Sequence, residues 1–241
     1  MNMPQKEYFK VIENTYIEEN KTFDTVQINH RNGNLPFYTN LKPFFDKICE
    51  LDERYNYGLD LYVCLYNNLT LYGSDYLQNI YSSYGNSINI YNLTSNEQHR
   101  DDYINFNNLL NISYDLYPSI DFYIIEIPIG IYLSEYIFEE MRKNNFSDKI
   151  SRLDSYFVFK DIKSCDYYKK RWKKHNNSIV KIISKEVDNY FEGDIKHIDD
   201  IENHITVYEY RDIANKYWQG ELTNDPIIET FFQGTFEMKR L

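Results

Sequence analysis

The sequence predicts an α+β fold, and two observations carry that prediction. Between residues 111 and 241, strand-like runs first alternate with helical patterns: Phe122–Ile127, Ser155–Phe159 and Ile179–Ile183 are apolar or aromatic runs, with helical spacing after the first two. The chain then finishes in strand-like runs with little helix among them, Ile205–Tyr210, Ile227–Phe232 and Thr235–Met238. Unbroken alternation would predict a doubly wound parallel sheet; strands gathered at one end predict an α+β domain. Residues 1–110 read as an N-terminal α/β extension, either a unit of its own or packed on the same core.

At 241 residues the chain is long enough for one large domain or two modest ones. Hydrophobic residues at 42% and charged ones at 26% are ordinary for a soluble globular protein. The net charge of −11 argues against a general nucleic-acid coat but leaves room for a local basic patch. Cys49, Cys64 and Cys165 are too few and scattered for a disulfide framework or a CxxC metal site, which predicts a reducing, cytoplasmic setting. The opening M-N-M-P-Q-K-E-Y-F-K has no apolar h-region, and no apolar run approaches the roughly 18 residues of a membrane span. Neither a secretory leader nor a membrane partner is expected.

In the first half, Glu7–Ile17 alternates weakly and fits a strand or a short helix. Thr25–Ile28 reads as a strand. Arg31-Asn-Gly-Asn34 reads as a turn, because Asn-Gly tolerates the positive φ of tight turns. His30 and Arg31 beside it fit an anion-binding pair or a solvated turn flank. Leu41, Phe44, Phe45, Ile48 and Leu51 have helical spacing, with Pro43 in the first turn. Leu59–Tyr66 fits a buried strand or the middle of a helix, since periodicity does not separate the two in a short apolar run. Ser95–Asp102 is the most polar window and the linker candidate. Its His99, Arg100, Asp101 and Asp102 fit a solvated loop better than a metal cluster, because adjacent residues do not converge on one ion.

In the second half, Ser134 is an N-cap candidate for a helix to Asn144 with Leu133, Ile137, Phe138 and Met141 on its apolar face. Asp161 starts a helix carrying Ile162, Cys165, Tyr168 and Trp172 on one face. Glu192–Asn203 reads as acidic loop, Ala214–Trp218 as a short helix that Gly220 stops, and Gln233-Gly234 as a turn.

The common catalytic signatures are absent: there is no Gly-rich phosphate loop, HExxH, GxSxG or zinc-spaced Cys/His set. What remains is sparser. Glu229 is a carboxylate inside an apolar strand, costly to bury unless paired or used. Arg152 enters the Ser155–Phe159 strand and suits a surface salt bridge or a phosphate. Tyr217 and Trp218 suit a packed helix end or an aromatic shelf for a planar ring. Lys169, Lys170, Arg171, Lys173 and Lys174, interleaved with Trp172 and followed by His175, form the one basic patch of an acidic chain. They suit a solvated helix face or a contact to phosphate or nucleic acid.

Four patterns in order then resemble one family. They are E-x-x-R at Glu139 and Arg142, S-R-L-x-S-x-F-x-F at Ser151–Phe159, A-x-x-Y-W-x-G at Ala214–Gly220, and E-x-x-x-x-G at Glu229–Gly234. Together they resemble an uncharacterised bacterial branch of the ADP-ribosyltransferase-like superfamily, related to the RES-domain and DarT groups. The resemblance covers Phe122–Leu241. It implies a split β-sheet core holding NAD in a cleft, with Phe122–Ile127 as the first strand and Ser155–Phe159 as the second. It implies Glu229 as the catalytic glutamate, Arg152 on the pyrophosphate, Ser155 and Tyr156 near the nicotinamide ribose, and Tyr217 or Trp218 against a ring. Such folds place an Arg or His on the first strand. Here that strand carries Glu126, so Arg142, Arg152 or His30 would supply the cation. The activity implied is transfer of ADP-ribose from NAD to nucleic acid or protein, as a toxin or phage-defence effector with an antitoxin partner, or NAD hydrolysis, with no metal. The rival expectation is a non-enzymatic partner-binding protein on the same scaffold.

Overall fold

The computed structural model describes residues 7–116, 129–201 and 205–241, with the backbone alone described at 30–41 and 129–132. In chain order the first elements are β1 (Glu7–Ile12), β2 (Thr22–Asp24), α1 (His30–Tyr55), α2 (Leu59–Tyr72), α3 (Ser74–Tyr84), β3 (Ser87–Asn89), α4 (Tyr91–Thr94), β4 (Tyr103–Asn105) and α5 (Phe106–Leu116). There follow α6 (Ile129–Asn145), β5 (Tyr156–Phe159), α7 (Ile162–Arg171), β6 (Ser178–Asp194), α8 (Lys196–Asp199), α9 (Val207–Gln219) and β7 (Ile228–Arg240). The class is α+β.

Two compact units share these elements. One is made of Met1–Pro36, Ile137–Asp200 and Ile213–Leu241, the other of Phe37–Tyr136 and Ile201–Asp212. These units do not divide at residue 110. β1 and β2 pair into the same sheet as the C-terminal strands, a long-range pairing that local pattern does not reveal.

That sheet has the antiparallel order β2-β7-β5-β1-β6, and β6 also pairs with β7 from Val180↔Arg240 to Asp194↔Ile228. The sheet thus closes on itself. Alternation along its strands sends Tyr8, Ile12, Tyr156, Val158, Val180, Ile182, Phe232, Phe236 and Met238 into one shared cluster. Val11 and Phe159 lie on the other side and pack with Cys165 of α7. Asp161 starts α7 as expected, its carboxylate accepting from Ser164 N–H at 2.7 Å.

Gln233-Gly234 is not a turn. β7 runs straight through it, and Gly234 sits at φ +141° where a Cβ would lie 2.1 Å from the Glu186 carbonyl oxygen. β6 is irregular at that point, with register shifts between Ser184 and Glu186 and between Val187 and Asn189. Only glycine allows the two backbones so close.

In the other unit the ambiguous Leu59–Tyr66 is helical. Its Leu59, Tyr62, Tyr66 and Leu69 are buried, and Leu61 and Leu65 widen that face. The Asn-Gly pair at 32–33 is inside α1, and β2 precedes the Thr25–Ile28 run, which is turn and bend. α6 begins before Ser134, so that residue is not its cap. Ile205–Tyr210 is no strand: Thr206 and Glu209 form a reciprocal capping box, Thr206 N–H donating to Glu209 Oε2 at 2.8 Å and Glu209 N–H to Thr206 Oγ1 at 3.3 Å. The T-x-x-E spacing is readable and outranks the β-branched residues around it. Ser95–Asp102 is no solvated linker either. His99 is buried, bonded through Nε2 to Asp60 at 2.9 Å and through Nδ1 to Asp102 at 2.8 Å. Among the described residues no group of His, Cys, Asp and Glu is placed to hold a metal ion, and no helix is long and apolar enough to cross a membrane.

Candidate functional site

The entry to β5, residues 149–155, has no ladder or helix of its own, so side chains fix its path. Ser155 Oγ donates to the Ser151 carbonyl at 2.6 Å, and Leu153 N–H donates to Ser151 Oγ at 3.2 Å. Ser151 Oγ in turn donates to Glu139 Oε2 at 3.0 Å. Arg142 grips the same carboxylate with two N–H groups at 2.9 and 3.0 Å and reaches the Lys149 carbonyl at 2.8 Å. The E-x-x-R spacing sets both side chains on one face of α6, where they clamp the segment.

Arg152 points from this segment toward β7. Its Nη1 donates to Glu229 Oε1 and to the Tyr217 hydroxyl oxygen, the latter at 2.5 Å. The Tyr217 hydroxyl donates to Glu229 Oε1 at 2.7 Å, closing a three-membered ring of contacts. Arg152 is 4% exposed, Glu229 2%, and Tyr217 is fully buried. The guanidinium also lies over the rings of Phe157, Tyr217 and Phe231 at 4.9, 5.3 and 5.6 Å. At this depth neither charge is tolerable alone, and each is offset by the other. Burial pushes the Tyr217 hydroxyl well above its ordinary range, Arg152 opposing and Glu229 reinforcing, so it stays protonated and serves as a donor.

Two residues with no motif around them deliver this cluster. Gly193 pairs with Glu229 across the β6–β7 ladder, and a Cβ there would lie 2.5 Å from the Tyr217 ring. Asp194 is a fully buried carboxylate that accepts from four donors. These are Thr223 Oγ1 at 2.6 Å, Thr223 N–H at 2.8 Å, Ile227 N–H at 2.9 Å and Lys196 N–H at 3.1 Å. Burial would raise its pKa, but the donors from Thr223, Ile227 and Lys196 outweigh that and hold it below the ordinary value. Asp194 thereby anchors the loop that leads directly into Glu229.

The residues singled out from sequence fall into separate groups. Arg152, Tyr217 and Glu229 meet. Arg142 belongs to the Glu139 clamp. Ser155 is fully buried on the Ser151 carbonyl. Tyr156 is on the opposite face of the sheet from Glu229, because it pairs with Phe232 while Glu229 pairs with Phe159, an odd number of residues away on each strand. There it stacks on Phe236 at 4.3 Å between ring centroids. Tyr156, which the resemblance implies near the nicotinamide ribose, and Glu229 therefore point to opposite sides of the sheet. Trp218 is fully buried with Nε1–H donating to the Phe138 carbonyl at 2.8 Å, so it is packed rather than offered as a shelf. Phe122–Ile127 and Glu126 lie outside the described residues, as do the side chains of His30 and Arg31.

Sequence reasoning passes over Lys10. It shares the face of Tyr8 and Ile12 on β1, its amine donating to the Phe157 carbonyl and lying 4.0 Å from the centre of the Tyr156 ring. Burial, helped by the charge of Lys174 and opposed by Cys165 and Glu229, lowers its pKa to about 7. The available signal is a lysine at an inward position of an alternating strand. Burial pushes the Cys49 and Cys165 thiols up to about 12, which leaves both inert as nucleophiles.

The chain belongs to the family described as protein of unknown function (DUF2441), whose model matches residues 8–240. The matched span runs from β1 to the end of β7 and takes in both units. No curated protein matches the chain.

Proposed function

We propose, for this member of the DUF2441 family, an ADP-ribosyltransferase-like activity in which NAD donates ADP-ribose to a macromolecular acceptor and Glu229 acts at the reacting ribose. The reading is carried by the meeting of Arg152, Tyr217 and Glu229, which come from the β5 entry, α9 and β7. Arg152 is a desolvated planar fork, the geometry that recognises phosphate oxygens. A diphosphate that took over Arg152 would release Glu229 to accept from the ribose 2′-hydroxyl. A carboxylate there stabilises the positive charge that grows as the bond to nicotinamide breaks. The mutually satisfied cluster is then a closed form that an anionic substrate opens.

Nicotinamide release from NAD tests the reading, with melting temperature followed at rising NAD. Wild type should release nicotinamide and melt higher, and Glu229→Gln should keep the fold by circular dichroism while losing turnover. Full turnover in that variant overturns the assignment.

One observation favours a second reading. Glu229 is 2% exposed and already held by two side chains, as expected of a cluster that simply holds α9 to the sheet. The protein would then be a non-enzymatic partner-binding scaffold. Unchanged melting at millimolar NAD together with no nicotinamide release selects it.

A further inference from the structure

We propose that the C-terminal end of α7 and the turn after it form a docking surface for single-stranded nucleic acid, with Trp172 as its stacking platform. The surface is independent of the NAD chemistry above. Lys169, Lys170, Arg171, Lys173, Lys174 and His175 follow one another around a single tryptophan in a chain of net charge −11. Cations in the last turn of a helix are ordinary, since they complement its macrodipole. That accounts for Lys169, Lys170 and Arg171. It does not account for Lys173, Lys174 and His175, which stand beyond the helix end.

The backbone concentrates these charges. Lys173 takes a left-handed conformation at φ 52°, unfavourable for a lysine, and the chain doubles back so that Lys174 N–H donates to the Lys169 carbonyl at 2.9 Å. The two ends of the basic run are thereby brought to one spot. Among the described residues no carboxylate pairs with Lys169, Lys170, Lys173, Lys174 or His175. Asp166, the acidic neighbour on the same helix, is exposed and forms no ion pair with them. Arg171 is committed to the Asp199 carbonyl at 2.9 Å. Gathering like charges without counter-charge is repulsive, and an external polyanion relieves that repulsion.

Trp172 decides which polyanion. It is 37% exposed, while the protein's other tryptophan, Trp218, is fully buried. Its ring stands 6.4 Å from that of Tyr168, and the Arg171 guanidinium lies 5.6 Å from its centre. An exposed indole among lysines that no described carboxylate pairs, Lys174 resting over the Tyr168 ring at 5.4 Å, matches the alternation of unstacked bases and phosphates along a single strand. A duplex hides its base faces, and an acidic peptide has no planar group to stack.

The test is fluorescence anisotropy of a labelled mixed-sequence single-stranded oligonucleotide with the full chain, no NAD present. Binding should weaken steeply with salt, and Trp172 emission should be quenched, Trp172→Phe removing the quench. Lys170→Glu with Lys173→Glu should weaken binding by at least about tenfold and reduce the salt slope by about 0.7 for each phosphate no longer neutralised. Trp172→Ala should cost about tenfold with the salt slope unchanged. No binding, equal binding by the charge-reversed variant, or equal affinity for the matching duplex, for poly-glutamate or for anionic vesicles without quenching overturns the proposal.

Discussion

Gly193 stands directly across the β6–β7 ladder from Glu229, and the ring of Tyr217 occupies the space that any side chain at 193 would fill. The Tyr217 hydroxyl reaches Glu229 because that strand position has no Cβ. A backbone residue with no chemistry of its own therefore sets the geometry of the only buried Arg–Tyr–Glu cluster among the described residues.

Gly193→Ala should destabilise the protein by about 1–3 kcal/mol through overpacking against the Tyr217 ring. Urea denaturation reads the loss. Near-ultraviolet circular dichroism should change with it, because Tyr217 and the adjoining Trp218 must move. A variant as stable as wild type would mean the ring packs elsewhere.

Arg152→Met and Glu229→Leu should each cost about 3–5 kcal/mol, because each strands a buried charge. The double variant should cost clearly less than the sum, since nothing is then left unpaired. Strict additivity in the double-mutant cycle would show that the two groups do not interact in solution.

Asp194 links folding to acid. Its pKa is lowered in the folded state, so its contribution is present above the unfolded value of about 3.9 and is lost as pH falls through the folded value. Urea midpoints should drop from about pH 5 downward, and Asp194→Asn should start lower and show a shallower drop. The loop before β7 should exchange amide hydrogens first on acidification.

His99 acts with the opposite sign. Burial pulls its pKa down, but the bonds to Asp60 and Asp102 outweigh it and leave it raised. Its contribution is complete below the unfolded value of about 6.5 and is lost as pH rises through the folded one. Stability should decline as pH rises above about 6, and less so in His99→Gln. A nuclear magnetic resonance titration of His99 with a midpoint below that of a free imidazole would contradict this.

Much of the fold is legible where a local rule has no competitor. The apolar runs of β5 and the start of β7 read as strands, and Asp161 reads as the start of α7. Arg152, Tyr217 and Glu229 stand out because each carries a polar group into an aromatic run. The misreadings share a cause, which is two local rules competing at one place. At Ile205–Tyr210 the β-branched residues argue for a strand while Thr206 and Glu209 spell a cap. At Gly234 a glycine beside a strand has two meanings, a turn or a close approach. Which one applies depends on how close Glu186 comes on the facing strand.

By itself the sequence determined alternation, helical faces and the depth at which polar side chains would be expensive, because those follow from residues near one another in the chain. Tertiary structure alone decided that β1 joins β5 and β6, that Lys10 and Tyr156 share a face that Glu229 does not, and that Glu229 meets Arg152 rather than water. These outcomes rest on pairing between segments as far apart as Glu7–Ile12 and Ser178–Ile183, and on a register fixed by irregularities in β6. Shifting a strand by one residue exchanges its two faces, so no local pattern can say which carboxylate is sealed and which is offered.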